Sequence, residues 1–172
     1  LGFGSTYNIH EAGALIFVNA PFPVQEDERQ PTPPLLIGEG FCDKPMVGRS
    51  LVNISGMSFG AISKPAVRAL SRGAQKAGCW MDTGEGGLSP HHLEGGCDIM
   101  FQIGTAKYGV RDDAGRLSPE KLREVAAHEN VRAFEIKLSQ GAKPGKGGVL
   151  LASKVTEEIA RIRGIPVGQD SL

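Results

Sequence analysis

Net charge is the first thing this sequence lacks: 19 lysines and arginines are matched by 19 acidic residues. A balanced chain argues against a general binder of nucleic acid or of an anionic membrane surface. It also lacks any apolar run near the ~20 residues that cross a bilayer, and no signal peptide is legible. Cysteine is scarce. Cys42, Cys79 and Cys97 are spaced too widely and irregularly for a disulfide framework or a metal knuckle, which fits a reducing, cytoplasmic setting. Aromatics are few, and the single tryptophan, Trp80, flanks a strand and reads as packing.

Glycine is the opposite case. The chain carries 24 in 172 residues, roughly twice the usual share. They cluster at the ends of β-prone runs. The length suffices for one domain with a real core. Residues 1–34 read as a lead-in that closes with the charged, proline-rich linker "QEDERQPTPP", and the ordered domain is expected over 35–172. The chain opens on Leu1 and stops soon after a helix, which reads as part of a longer protein.

A strand, loop, helix rhythm then sets in. Strands are expected at Leu51–Ser55, Cys79–Thr83, Ile99–Ile103 and Ala133–Leu138. Ser63 with Pro65 opens a helix that runs to Ala77 and stops at Gly78, with Val67, Leu70, Ala74 and Ala77 on its apolar face. Ser118-Pro119-Glu120 opens a second helix to about His128. A third covers Lys154–Arg163, with Val155, Ile159 and Ile162 inward and Gly164 at its end. This is βαβ patterning, so the sheet is expected to be parallel. Length favours a small doubly wound sheet over a (β/α)₈ barrel of about 250 residues.

Four polar, glycine-rich loops follow the four strands: Gly56-Met57-Ser58-Phe59-Gly60, Thr83-Gly84-Glu85-Gly86-Gly87, the loop from Gln102 to Lys107, and the loop from Lys137 to Gly148. Ligands of parallel α/β folds bind at the carboxyl ends of strands. Glycine alone explains one tight turn; four such loops in succession point to one shared ligand site. Glu85, a carboxylate between glycines at a strand end, is poorly placed for packing and well placed for chemistry. Lys137 ends an apolar strand and points into the same site. The "GAKPGKGG" run has the wrong glycine spacing and no following hydroxyl for a Walker phosphate loop. His91 and His92 are adjacent, so their side chains should diverge rather than share a metal, and no metal site is expected. His10 and His128 read as surface positions.

"ISGMSFGAISKPAVRAL", "TGEGG", "QIGTAKYGV" and "IKLSQGAKPGKGG", in that order over about residues 45–165, resemble the FMN-binding domain of the glutamate synthase family, in particular its stand-alone members. The resemblance implies a parallel (β/α)₈ TIM-barrel type fold, of which this chain covers the lead-in and strands one to four. It therefore overrides the length argument and implies that the remaining half of the barrel is needed. It further implies FMN-dependent reduction of 2-iminoglutarate, formed from 2-oxoglutarate and ammonia or glutamine-derived ammonia, to L-glutamate. NAD(P)H and ferredoxin both stay open as electron donor. The family's iron–sulfur cysteines come later in the barrel than this chain reaches.

Carried over position by position, the resemblance sets Gly56, Met57 and Ser58 against the flavin ring, with Thr83 and Glu85 near its reactive part. Gln102 and Thr105 would bond flavin or substrate, Lys137 and Gln140 the reduced ring or substrate, and Lys143 a substrate carboxylate. Glu85 and Lys137 are the expected catalytic pair. Two other readings compete. One is a different FMN or IMP dehydrogenase-like barrel enzyme, against which "QGAKPGKGG" speaks; the other is a cofactor-free half barrel without activity of its own.

Overall fold

The computed structural model describes residues 10–14, 16, 18, 20–30, 33–138 and 149–171. The chain divides into two compact units, Leu1–Pro31 and Thr32–Leu172. In the first, the charged stretch makes one 3₁₀ turn, Glu26–Glu28, closed where the Gln25 N–H donates to the Glu28 carboxylate at 3.2 Å.

The second unit opens with an antiparallel hairpin that the sequence reading had not anticipated, β1 (Leu35–Ile37) and β2 (Met46–Gly48). Met46 is buried, and Arg132 donates to the carbonyls of Lys44 and Pro45 at 3.1 and 3.0 Å, so the hairpin is anchored on the strand that carries Arg132.

The main sheet is parallel, as the βαβ pattern requires. It contains β3 (Met81–Asp82), β4 (Ile99–Ile103) and β5 (Val131–Ile136), in that spatial order. β4 has the expected bounds, while β5 begins two residues early. The expected strand at Leu51–Ser55 shrinks to a single parallel bridge, Ile54 with Met81. The cause is local. Ser50 Oγ bonds the backbone of Val52, and Asn53 turns its amide to the Ser50 carbonyl, which bends the segment and leaves Leu51 and Val52 exposed. Among the described residues nothing pairs with the far side of β5, so the sheet is open. What is formed is a mixed α/β unit on a parallel sheet, not a closed barrel.

Among the described residues four helices accompany the sheet: α1 (Lys64–Ala77), α2 (Pro90–Leu93), α3 (Pro119–Ala126) and α4 (Glu157–Arg163). Gly78 ends α1 in the left-handed conformation at φ 68°, where a Cβ would be strained. Ser63 occupies the cap position, but its hydroxyl makes no capping bond, whereas Ser118 and Thr156 do cap their helices. Lys154 falls in a separate 3₁₀ turn, so α4 starts later than expected.

The buried face of α1 is Val67, Ser71 and Ala74; Leu70 is half-buried and Ala77 exposed. Ser71 displaces the apolar expectation because its hydroxyl donates to the His92 carbonyl at 2.6 Å and accepts from Gly95 N–H at 2.9 Å. A side chain at Gly95 would run into the Ser71 backbone, so only glycine allows this close approach. Val67, Met81, Ile99, Phe101, Val110, Val131 and Ile159 form the core between helices and sheet. Because strand side chains alternate, the other face of the sheet carries Asp82, Gln102, Glu135 and Lys137.

Candidate active site

Strand ends position the candidate residues. Lys137 follows β5 directly and Glu85 follows β3; the ammonium Nζ lies 3.0 Å from Glu85 Oε2. This ion pair reaches over β4, and Gly104 permits it, since a Cβ there would sit 2.7 Å from the Glu85 Cβ. Below it, Gln102 Nε2 donates to Glu135 Oε1. The two expected catalytic residues are thus brought together, and both side chains are about three-quarters buried, with 24% and 21% exposure.

The turn at 56–60 is stacked on the turn at 83–87. Gly56 is exposed, and a side chain on it would meet Gly84 Cα, Asp82 Oδ1 and Gln102 Nε2 at 3.1–3.3 Å. Gly84 has φ 65°, and its missing Cβ would lie 2.7 Å from the Ser58 nitrogen. The result is a closely stacked backbone floor at which Gly56 is exposed.

Met57 is half-buried, packs against the core, and is fixed at both ends of its backbone: its N–H donates to the Asp82 carbonyl at 3.1 Å, and its carbonyl accepts from His92 Nε2 at 2.8 Å. The Thr83 hydroxyl is engaged inside the sheet, donating to the Gly84 carbonyl and accepting from Gln102 N–H. Thr105 is exposed at the rim, with Lys107 folded back onto its carbonyl. Gln140 and Lys143 lie outside the described residues.

Two neighbours of the site, Asp82 and Arg163, have no reading in the sequence, and a third, His92, figures there only as one of an adjacent pair beside the site. Asp82 is only 1% exposed. Its Oδ1 accepts from Gly84 N–H at 2.6 Å, while Oδ2 has no partner. Burial pushes this carboxyl up to about 6; Glu135 adds to the rise, while Gly84 N–H and Lys137 oppose it.

Arg163 is the second. It sits on the buried face of α4, where apolar residues were expected, and its guanidinium reaches Ser58 Oγ, the Phe59 carbonyl and Ser171 Oγ at 3.3, 3.3 and 3.0 Å. Ser171 in turn donates to Tyr108, whose ring faces the guanidinium at 5.2 Å, and Arg163 Nε has no partner. Burial lowers the Arg163 pKa, an effect that Tyr108 and Glu85 oppose. One arginine on an apolar stripe was the available signal.

His92 is the third. It diverges from His91 as adjacency demands: His91 Nε2 pairs with Glu158 at 2.7 Å, while His92 points to Met57. Nothing in the sequence linked His92 to a turn 35 positions away.

The family model described as the conserved region in glutamate synthase matches residues 24–172. The chain belongs to the glutamate synthase family. A glutamate synthase large subunit-like protein of Bacillus subtilis, YerD, is 47% identical over 135 residues, which is 78% of this chain and 26% of that relative. A Rhizobium meliloti glutamate synthase large subunit-like protein is 31% identical over 98% of this chain and 36% of its own length. An archaeal-type glutamate synthase [NADPH] of Thermotoga maritima is 39% identical over 70% of this chain and 21% of its own. The chain therefore spans between a fifth and about a third of these relatives. Among its described residues no helix is long and apolar enough to cross a membrane.

Proposed function

We propose that this chain is the first half of an FMN-binding (β/α)₈ barrel and that the whole protein reduces 2-iminoglutarate, formed from 2-oxoglutarate and ammonia, to L-glutamate. The observation that carries the reading is the Glu85–Lys137 pair beside the bare Gly56 floor, at the carboxyl ends of parallel strands. A flat ring with a polar edge fits there. Gly56 offers backbone contact without a Cβ, Gln102 offers an amide beside that floor, and Lys137 offers a cation to an electron-rich ring edge.

The chemistry that bound, reduced FMN supplies is hydride donation. This chain's residues do the rest. Lys137 provides positive charge for a carboxylate of a 2-oxo dicarboxylic acid, while the buried Arg163 holds the turn at 56–60 in place. Glu85 holds and moves the proton that the amino nitrogen gains or loses, with its position set by Lys137. The floor of the two stacked turns would keep water from the face of the ring that rests on it. Gln140 and Lys143, if they lie as the resemblance implies, add a further amide and cation to the same mouth. The NADPH in the name of the Thermotoga maritima relative favours a pyridine nucleotide as reductant.

The open edge of β5, with Ile136 69% and Leu138 89% exposed, favours activity only in the whole protein. The test is to purify both the full-length protein that contains this chain and residues 1–172 alone. The expected result is bound flavin and glutamate formation from 2-oxoglutarate, ammonia and a reductant in the former, with neither in the latter. A full-length protein that takes up no FMN at micromolar concentration would overturn the reading.

A further inference from the structure

His92 is wholly buried, and both of its ring nitrogens are engaged. Nδ1 accepts from Ser89 N–H at 3.1 Å, with the Ser89 hydroxyl at 2.7 Å, in a reciprocal cap of the short helix α2. A backbone N–H can only donate, so the ring proton resides on Nε2, which donates to the Met57 carbonyl at 2.8 Å. The cap uses one nitrogen; the other has been sent 35 positions along the sequence to a single peptide group on the turn at 56–60.

A trans peptide holds its C=O and N–H antiparallel. With the Met57 carbonyl turned to His92, the Ser58 N–H is turned away from it. Among the described residues that N–H donates to nothing, although the next carbonyl, Ser58 O, accepts from Ala61 and Ile62 at 3.2 and 3.1 Å. The Ser58 nitrogen packs directly against Gly84, where a Cβ would lie only 2.7 Å away, so the glycine lets the two turns approach this closely. Donation to a carbonyl also polarises its peptide and strengthens the N–H on the other end.

We infer that His92 is a positioning residue: through the Met57–Ser58 peptide it aims the Ser58 N–H at an acceptor on the polar edge of the ligand that lies on Gly56. This rests on the flavin reading above for the identity of the ligand, while the orientation of the peptide does not. Burial holds the His92 pKa low, against the Met57 bond and with help from neighbouring His91, so the neutral donor form persists. His91 is itself paired with Glu158.

The experiment uses the full-length protein. FMN affinity and the reduction potential of bound FMN are measured for wild type, His92→Leu and His92→Gln. Glutamine sets an acceptor and a donor about as far apart as the two imidazole nitrogens. The expected result is FMN binding weaker by roughly five- to tenfold in His92→Leu, with a displaced potential, and recovery of both in His92→Gln. In addition, the Ser58 amide ¹⁵N–H resonance of wild type should move on FMN addition, a readout that needs no variant to fold. A potential unchanged in His92→Leu, a loss that His92→Gln does not rescue, or a Ser58 amide that ignores bound FMN would each overturn the inference while leaving the flavin reading intact. Wild type that takes up no FMN would overturn the flavin reading and, with it, the ligand assigned to Ser58.

Discussion

Lys137 Nζ lies 3.0 Å from Glu85 Oε2, so the loops after β3 and β5 are joined by charge above the strand that separates them. The pair is mostly buried, and each partner conditions the other. Lys137→Ala and Glu85→Ala should each lower glutamate formation by roughly 10²–10³-fold. The double variant should be far less impaired than the product of the two losses, because groups that act as one unit are not additive. Steady-state rates for the four proteins check this, and simple multiplication of the two defects would separate the residues' roles.

The two stacked turns set apart a glycine proposed to meet a ligand from one needed for the fold. A Cβ on Gly56 would crowd its neighbours at 3.1–3.3 Å, a fit reached by small shifts. A Cβ on Gly84 would press on the Ser58 nitrogen at 2.7 Å from a residue held at φ 65°. Gly56→Ala should therefore keep its melting temperature within about 4 °C yet bind FMN at least ~10-fold more weakly, given that the methyl pushes on Gly84, Asp82 and Gln102 at the proposed ring site. Gly84→Ala should unfold the turn. Thermal melts alongside flavin titrations check both.

Asp82 makes stability fall as pH rises. Its carboxyl is raised from an ordinary 3.8 to about 6, so the folded state prefers the protonated form. That preference contributes fully below pH 3.8 and is lost as pH climbs through about 6. Asp82→Asn keeps an acceptor for Gly84 N–H and carries no charge. It should be more stable than wild type by roughly 1–3 kcal/mol at pH 7.5, and the gap should close below pH 4. Denaturant melts across that range are the measurement; a gap that widens in acid would contradict the assignment.

Arg163 ties the turn at 56–60 to Ser171 and Tyr108 from a buried helix face. Arg163→Met fills similar volume but leaves Ser58 Oγ, the Phe59 carbonyl and Ser171 Oγ without this donor. A loss of roughly 2–4 kcal/mol is expected. Arg163→Lys should recover little of it, since a single ammonium cannot span partners that a planar fork reaches together. Chemical denaturation of the three proteins reads this directly.

The sequence by itself determined the local elements and the place of the site. β4, the body of α1 and its stop at Gly78 follow from short-range causes: a short apolar run bounded by isoleucines, an apolar stripe, and a glycine free to take positive φ. The glycine loops at strand ends were equally legible, and with them Glu85, a carboxylate among glycines, and Lys137, a cation at the end of an apolar strand. Their contact was not legible, since 52 residues separate them and only the parallel pairing of β3, β4 and β5 makes them neighbours.

Tertiary structure decided most of the rest, the run at 51–55 being the local exception. The run at 51–55 has strand propensity, but Ser50 and Asn53 side chains take its backbone out of the ladder and only Ile54 stays. Asp82, His92 and Arg163 look unremarkable in the chain; each acquires its character from what the fold removes or adds. Asp82 loses water, His92 gains a carbonyl from a distant turn, and Arg163 is enclosed under that same turn. Desolvation and long-range hydrogen bonding belong to no window of sequence, and they are the forces that shape this site.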